Sequence, residues 1–380
     1  MTALTLAVVL VALVGCAAGV NDDLAATTTP RISLPTGSPP ARLHLHPRDQ
    51  VLALLTSEQP ETELRRLSER ITTAPDDAET RALRGIVQLR LANLAEASRD
   101  VETALATDPG AVAGYVGRGL VAVAIAQGRT SVYTAALEDF NRALTLDGSA
   151  TSARLGRALA LAERARHSGD VESWTRALDS AQDDRLSEEP LAAALIAVAL
   201  SNVGDDAGAR QTLERARETL PASGESVRKA ALLTAEADLE QRIGRLETAL
   251  EQARAAREAD PWQWEARRIE AAVLLALKRP QEAHEVATTM LAHWPDDGRM
   301  LLVRASASLA LGRREEAIVD VTRAQEVLGA APAYSAAILQ VSQQLGMPAP
   351  PVATPPGTAA ATGRAPVDPY HRPHALKRVR

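Results

Sequence analysis

Apolar positions fall into three patterns along the chain. From Leu4 to Val14 they form an almost unbroken run. Such a run has the length and character of the apolar region of a secretory signal. From Gly19 to about Pro47 they thin out, and Thr, Pro, Ser and Gly take over. That composition buries too little apolar area to offset the entropy of ordering, so it predicts a disordered tether. About 30 flexible residues span roughly 30 Å end to end. Beyond residue 48, small and apolar residues recur at spacings of three and four, which places them on one face of a helix.

The helical part is periodic. Pro75 and Pro109 lie 34 residues apart, as do Pro261 and Pro295. Each follows a segment of the form Ala-x-x-x-apolar-x-x-Ala, seen in Ala97–Val101–Ala104, Ala136–Phe140–Ala143, Ala209–Leu213–Ala216 and Ala249–Ala253–Ala256. About twelve residues before each such Ala stands another small residue: Gly85, Gly119, Ala158, Ala197, Ala237, Ala271 or Ala305. The pattern resembles the tetratricopeptide repeat (TPR), a helix–turn–helix of 34 residues. The resemblance implies an all-α, right-handed superhelical solenoid in which each unit hides its apolar face against the next.

Seven units fit, at 78–111, 112–150, 151–184, 190–223, 230–263, 264–297 and 298–331. Surplus residues fall near Gly128–Tyr133, at 185–189 and at 224–229. Asp170 and Met290 interrupt the small-residue slots. The motif's aromatic slots are met only by Tyr115, Phe140 and Trp174. The Leu expected before the first small residue is Arg84, Arg118, Arg157 or Arg304 in four units, and Glu236 or Glu270 in two. Residues 48–77 read as a degenerate extra unit whose second helix is Glu61 to Thr73. Residues 332–346 read as a capping helix with Ala337, Ile338, Val341 and Leu345 on its apolar face and a Gly346 stop.

Composition narrows the function. Aromatics make up 2% of the chain while hydrophobic residues make up 46%, so Ala-rich helices in close contact replace an aromatic core. The formal charge of −6 lacks the basic footprint of a nucleic-acid binder. A lone cysteine excludes an internal disulfide framework and a cysteine-rich zinc site. No small-molecule substrate or cofactor is expected, because no Walker loop, zinc-protease motif or nucleophile elbow occurs. Gly117-Arg118-Gly119-x-x-Ala122 matches a dinucleotide fingerprint as text, but no strand precedes it. His44 and His46 have no acidic or Cys partner nearby, and His371 and His374 have helical spacing but sit beside Pro373, which discourages a helix, so both pairs are poor metal sites. Asp183-Asp184 and Asp205-Asp206 fall at turns, where capping is the expected role. The chain therefore reads as non-catalytic.

That lone cysteine is Cys16, in Leu13-Val14-Gly15-Cys16. The tetrapeptide resembles the lipobox of bacterial lipoproteins. The resemblance implies removal of residues 1–15, a diacylglyceryl thioether on Cys16, and a tether over 16–47. Met1 to Thr5 lack the usual Lys or Arg, and a single uncleaved anchor over Ala3–Val20 is the alternative, although ~20 residues are wanted to span. Ala17 and Ala18 imply the outer membrane if the cell is Gram-negative, with the body facing the periplasm or the exterior. Residues 347–380 form a Pro-rich basic tail with Arg364, Arg372, Lys377, Arg378 and Arg380 against Asp368.

In the family the first helices line a concave partner-binding face. By register, that face holds Arg90, Glu163, Asn202, Thr234, Asp238, Arg242 and Arg268. Reversing the charges of Asp238, Arg242 and Arg268 is expected to cost partners but not folding. The Lys/Asn clamp for a C-terminal carboxylate is absent. Trp262, Trp264 and Trp294 fall near turns, to pack between units or form a contact edge. The expected function is a scaffold or adaptor for other envelope proteins. The alternatives are a peptide- or glycan-binding module, or a cytoplasmic adaptor if the N-terminus is not a signal.

Overall fold

The computed structural model describes residues 49–221, 225–329 and 331–347. Cys16, the tether, the four histidines of the two candidate pairs and the basic tail lie outside the described residues. Two helices open the described chain, α1 (Gln50–Leu55) and α2 (Pro60–Thr73). Seven helix pairs follow. They are α3–α4 (Ala78–Arg90, Leu94–Thr107), α5–α6 (Val112–Ala126, Thr130–Leu146), α7–α8 (Thr151–Ser168, Val171–Ala181), α9–α10 (Pro190–Asn202, Asp206–Thr219), α11–α12 (Ser226–Arg242, Leu246–Ala259), α13–α14 (Trp264–Ala276, Pro280–His293) and α15–α16 (Gly298–Ala310, Arg314–Leu328). α17 (Pro332–Gln344) ends the array. There is no strand among the described residues. The fold is an all-α solenoid of the TPR type.

Local chemistry explains the helix ends. Asp77, Asp170, Asp205 and Asp297 are N-caps whose carboxylates accept from the backbone N–H of Thr80, Ser173, Gly208 and Met300. Each satisfies a donor that the first turn leaves unpaired. The surplus near Gly128–Tyr133 enters the helices themselves, since α5 and α6 have 15 and 17 residues against 13 and 14 in α13 and α14. The surplus at 185–189 forms part of a 3₁₀ turn, Asp184–Leu186, and the connection after it.

Packing depends on side chains no larger than a methyl. The chain's single Phe, Phe140, is fully buried between the first helices of two units. A Cβ on Gly119 would lie 2.8 Å from its ring, and one on Gly156 would overlap it. The expectation for the third unit needs one correction. Asp170 is not a packing residue but a helix cap, and the buried face of α8 begins at Trp174 and continues through Ala177, the next small-residue slot.

The Arg and Glu residues that replace Leu have a consistent use. Arg84, Arg118 and Arg304 each make a bidentate pair with an Asp on the second helix of their own unit: Asp100 (2.7 and 2.6 Å), Asp139 (2.9 and 2.6 Å) and Asp320 (2.7 and 2.7 Å). Arg157 donates to Ser180 in the same way, at 3.3 Å. The two Glu residues reach back to the preceding unit. Glu236 pairs with Arg217 at 2.5 Å, and Glu270 with Arg254 and Arg257 at 3.0 and 3.2 Å. Arginine ties a unit together, and glutamate ties it to its neighbour.

The array also bends back on itself. Segment 48–77 divides: α2 packs on α3 as a second helix would, whereas α1 packs on α3 and α7. Trp262 packs on the apolar cluster of α1–α7, and Trp264 Nε1 donates to the Arg90 carbonyl at 3.1 Å. α17 buries Ala337, Ile338 and Val341, Leu345 just after it is buried too, and the helix also touches α7.

Gly156→Ala tests the packing rule. Overpacking costs about 1–3 kcal/mol, against a helix-propensity gain of about 1 kcal/mol. Urea denaturation should show net destabilisation, partly reversed by adding Phe140→Leu. A stabilised single variant would contradict the packing account.

Candidate functional site

Four of the first helices, α7, α11, α13 and α15, bring charged side chains together on one inner face. Its centre is a carboxylate shared by three guanidinium groups. Glu265, at the start of α13, accepts from Arg299 at 2.9 and 2.6 Å and from Arg268 at 3.0 Å. Arg166 of α7 approaches it at 3.8 Å. Arg166 also pairs with Glu163 at 3.3 Å and with Asp238 of α11 at 3.4 Å, and Arg268 donates to Asp297 at 2.6 Å. The hub therefore joins four first helices, α7, α11, α13 and α15. All four hub side chains centred on Glu265 are largely buried, with 14–22% exposure. Burial alone would raise the Glu265 carboxyl, but the charges of Arg299, Arg166 and Arg268 overcome it and hold the group well below the usual carboxylate range.

Beside the hub is a cavity of about 70 Å³ lined by Arg166, Trp174, Asp238, Arg242, Arg268 and Tyr334, among others. Arg242 donates only to neutral oxygens there: Ser201 Oγ at 2.9 Å, the Ser201 carbonyl at 2.7 Å and Asn202 Oδ1 at 3.2 Å. Asp238 Oδ2 is buried without a hydrogen-bond partner. The arrangement can hold polar groups, but it presents no nucleophile–base pair. Among the described residues no group of three or more His, Cys, Asp or Glu side chains is placed to hold a metal. No described helix is long and apolar enough to cross a membrane.

The residues expected on the concave face divide by position. Asn202, Asp238, Arg242 and Arg268 meet at the cavity, and Glu163 stands behind Arg166. Arg90 lies apart, against Asp260 at 3.3 Å and the Leu55 carbonyl. Thr234 is buried and returns its hydroxyl to the Ala230 carbonyl of its own helix at 2.7 Å. The expectation that charge reversal spares folding is corrected here. Asp238 and Arg268 sit in a buried ionic network, so reversal places like charges in contact.

Sequence reasoning missed Arg166, Glu265, Arg299 and His167. A signal was present: Glu265 and Arg299 are 34 residues apart and of opposite charge, as Tyr133 and His167 are 34 apart and in contact. Gly117 and Gly119, the fingerprint glycines, lie mid-helix in α5, facing Val101 and Phe140. The three tryptophans cluster edge-on, with centroids 5.9 and 6.2 Å from Trp264, at the junction of early and late units.

His167 is a further buried titratable group beside the hub. Its Nδ1 lies 2.8 Å from the Glu163 carbonyl, which only accepts, so Nδ1 carries the proton. The Tyr133 hydroxyl is 3.0 Å away and the Tyr334 ring 5.5 Å, with Arg166 and Arg299 also facing it. Nε2 is buried without a partner. Desolvation, reinforced by Arg299 and Arg166, lowers its pKa.

No protein-family model and no curated protein matches the chain. Solved structures similar to it include the APC/C hetero-tetramer Cut9–Hcn1 (13% identity, 78% of this chain, 54% of that chain, TM-score 0.49). A tetratricopeptide repeat protein from Parabacteroides merdae is 14% identical over 71% of this chain and 99% of that one, with a TM-score of 0.41. Yeast Tom70 is 16% identical over 76% and 60%, with a TM-score of 0.40. The chain thus spans about half the Cut9–Hcn1 chain it matches. Likeness at these levels concerns helix-pair architecture and carries nothing about partners.

Two measurements probe the inner face. Glu265→Gln leaves three guanidinium groups without their common carboxylate. The cost is about 2–4 kcal/mol in urea unfolding, less than for a fully dry pair because water still reaches the group. For His167, the folded-state pKa is below the unfolded value of about 6.5, so the unfolded chain binds the proton first as pH falls. Stability is full above that value and declines as pH drops below it. Thermal scans from pH 8 to 5 should show a falling Tm in the wild type and a flatter profile in His167→Asn; equal slopes would remove His167 from the account.

Proposed function

We propose that this chain is a non-catalytic protein–protein scaffold held on a bacterial envelope membrane by acyl chains on Cys16. The observation that carries the scaffold reading is the inner face itself. Units built on small residues bring charged first-helix side chains from α7, α11, α13 and α15 to one place. Solenoids of this kind offer extended surfaces rather than a reaction site. The anchor reading rests on Leu13-Val14-Gly15-Cys16 following the run Leu4–Val14. Each buried CH₂ of an acyl chain contributes about 0.8 kcal/mol, and two or more chains give stable attachment. The tether over 16–47 then holds the helical array clear of the lipid, facing the periplasm or exterior, on the outer membrane in a Gram-negative cell. Other envelope proteins are the partners, and assembly or export of an envelope system is the role.

A second reading is a ligand-binding module. It is favoured by the cavity of about 70 Å³, where Arg242 meets only neutral oxygens and Asp238 Oδ2 has no partner. It is large enough for a few waters or one small polar group.

Intact-mass analysis of protein extracted from membranes tests the anchor. The expected product begins at acylated Cys16, and Cys16→Ser should move the chain to the soluble fraction. An unmodified Cys16 in the membrane fraction overturns the anchor. Crosslinking before extraction should recover defined envelope proteins; recovery of none overturns the scaffold.

A further inference from the structure

α1 is too short to be helical alone, because a nucleus of one or two turns is unfavourable in water. It is held by what it docks on, and it docks on first helices. Leu52, 3% exposed, enters an apolar pocket of Leu155, Leu186 and Ala192, flanked by Leu191 and Leu195. Val51 and Leu54 join the cluster containing Leu83, Ile86 and Val87 of α3. The acids at either end of the segment seat on helix starts. Asp49 caps α1 itself through Leu52 N–H at 3.0 Å, and its other oxygen accepts from Ser152 N–H of α7 at 2.7 Å. Glu58 accepts from Ser226 N–H of α11 at 3.0 Å. The N-cap residues of those two helices, Ala150 and Glu225, supply no side-chain cap of their own. Arg90 closes the far end by donating to the Leu55 carbonyl.

These contacts make residues 49–58 an occupant of the inner face rather than a member of the array. We propose that this occupant is displaceable, and that the face formed by α3, α7, α9 and the start of α11 takes from a partner protein a segment of the same chemistry. Such a segment is a short apolar helical turn with an acid at its N-terminus, a leucine three residues later and a second acid nine residues after the first. The inference rests on the scaffold reading and names the partner's recognition element. The array's own stability is mostly nearest-neighbour, so removing α1 from the face leaves the hairpins to stand on their own packing. The segment also follows directly on the stretch that would lead to the membrane, so a partner that displaces it lengthens the tether as it binds.

The test uses the full chain carrying Asp49→Ala, Leu52→Ala and Glu58→Ala together, and a fluorescein-labelled peptide of residues 49–58. Anisotropy should show that the triple variant binds the peptide at least about tenfold more tightly than the wild type, whose face is already filled. A peptide with Leu52→Asp should not bind. A triple variant that keeps its helicity and binds no peptide overturns the proposal. If the variant loses its helicity, hydrogen exchange on the wild type decides. Amides of 51–58 exchanging about tenfold faster than those of α3 and α7 support a displaceable occupant; equal protection makes α1 a fixed part of the core and overturns it. The assay contains no membrane, so its failure leaves the anchor and scaffold reading untouched, and an unacylated Cys16 leaves this result untouched.

Discussion

Two helices can approach only as closely as the thickest side chains between them allow. In this chain that limit is set to the size of a methyl or less. Gly85, Gly119 and Gly156 in the first helices, and Ala97, Ala136 and Ala209 in the second, are buried. A single Phe140 then fills the space that two glycines leave. Dispersion contacts are individually weak, so the number of close atoms matters more than their kind. An Ala-rich hairpin gains that number by proximity. Its weakness is that each hairpin has little core of its own, and its stability is borrowed from both neighbours.

Close approach creates a polar problem, and the chain answers it with charge. In six of the seven units the first-helix residue just before the small one is Arg or Glu, and in the fourth it is Ile196. Arginine serves there because its stem covers apolar surface while its planar head meets a carboxylate with two hydrogen bonds. Where the residue is Glu, the same contact is made with the arginines of the preceding unit. These pairs keep at least one partner part-exposed, so their gain is modest. Their value is directional, since a bidentate pair fixes the rotation of one helix against another.

Much of the fold was legible because it repeats. The 34-residue recurrence of Pro75, Pro109, Pro261 and Pro295, with the small residues between them, reports contacts made within a unit or with the next. A contact between residues close in sequence leaves a period. Arg90 with Asp260, Arg166 with Asp238, and His167 with Tyr334 join residues far apart, and no period encodes them. The expected groove residues follow from register alone. Register brings Asn202, Asp238, Arg242 and Arg268 to one cavity, but it is silent on how far the superhelix curls. The slip at Asp170 has a local cause. An aspartate at the start of a helix caps it, so that slot is spent on a backbone donor and packing begins at Trp174.

The curl is what turns an open surface into a filled one. A buried ionic hub is a weak source of stability, because desolvating its charges costs much of what their attraction returns. Apolar side chains of the same volume would hold α7, α11, α13 and α15 together at least as well. What they would not do is set direction. The hub of Glu163, Arg166, Asp238, Glu265, Arg268 and Arg299 fixes each first helix through specific charge pairs, and its groups are ones that water can also satisfy. The same holds at the other end of the face, where acids of the chain's own segment satisfy helix donors that water or another carboxylate can satisfy equally well. Both halves of the inner face are thus built from interactions whose exchange with solvent or a partner is nearly balanced, while the outer hairpins, sealed by glycine and alanine, are not.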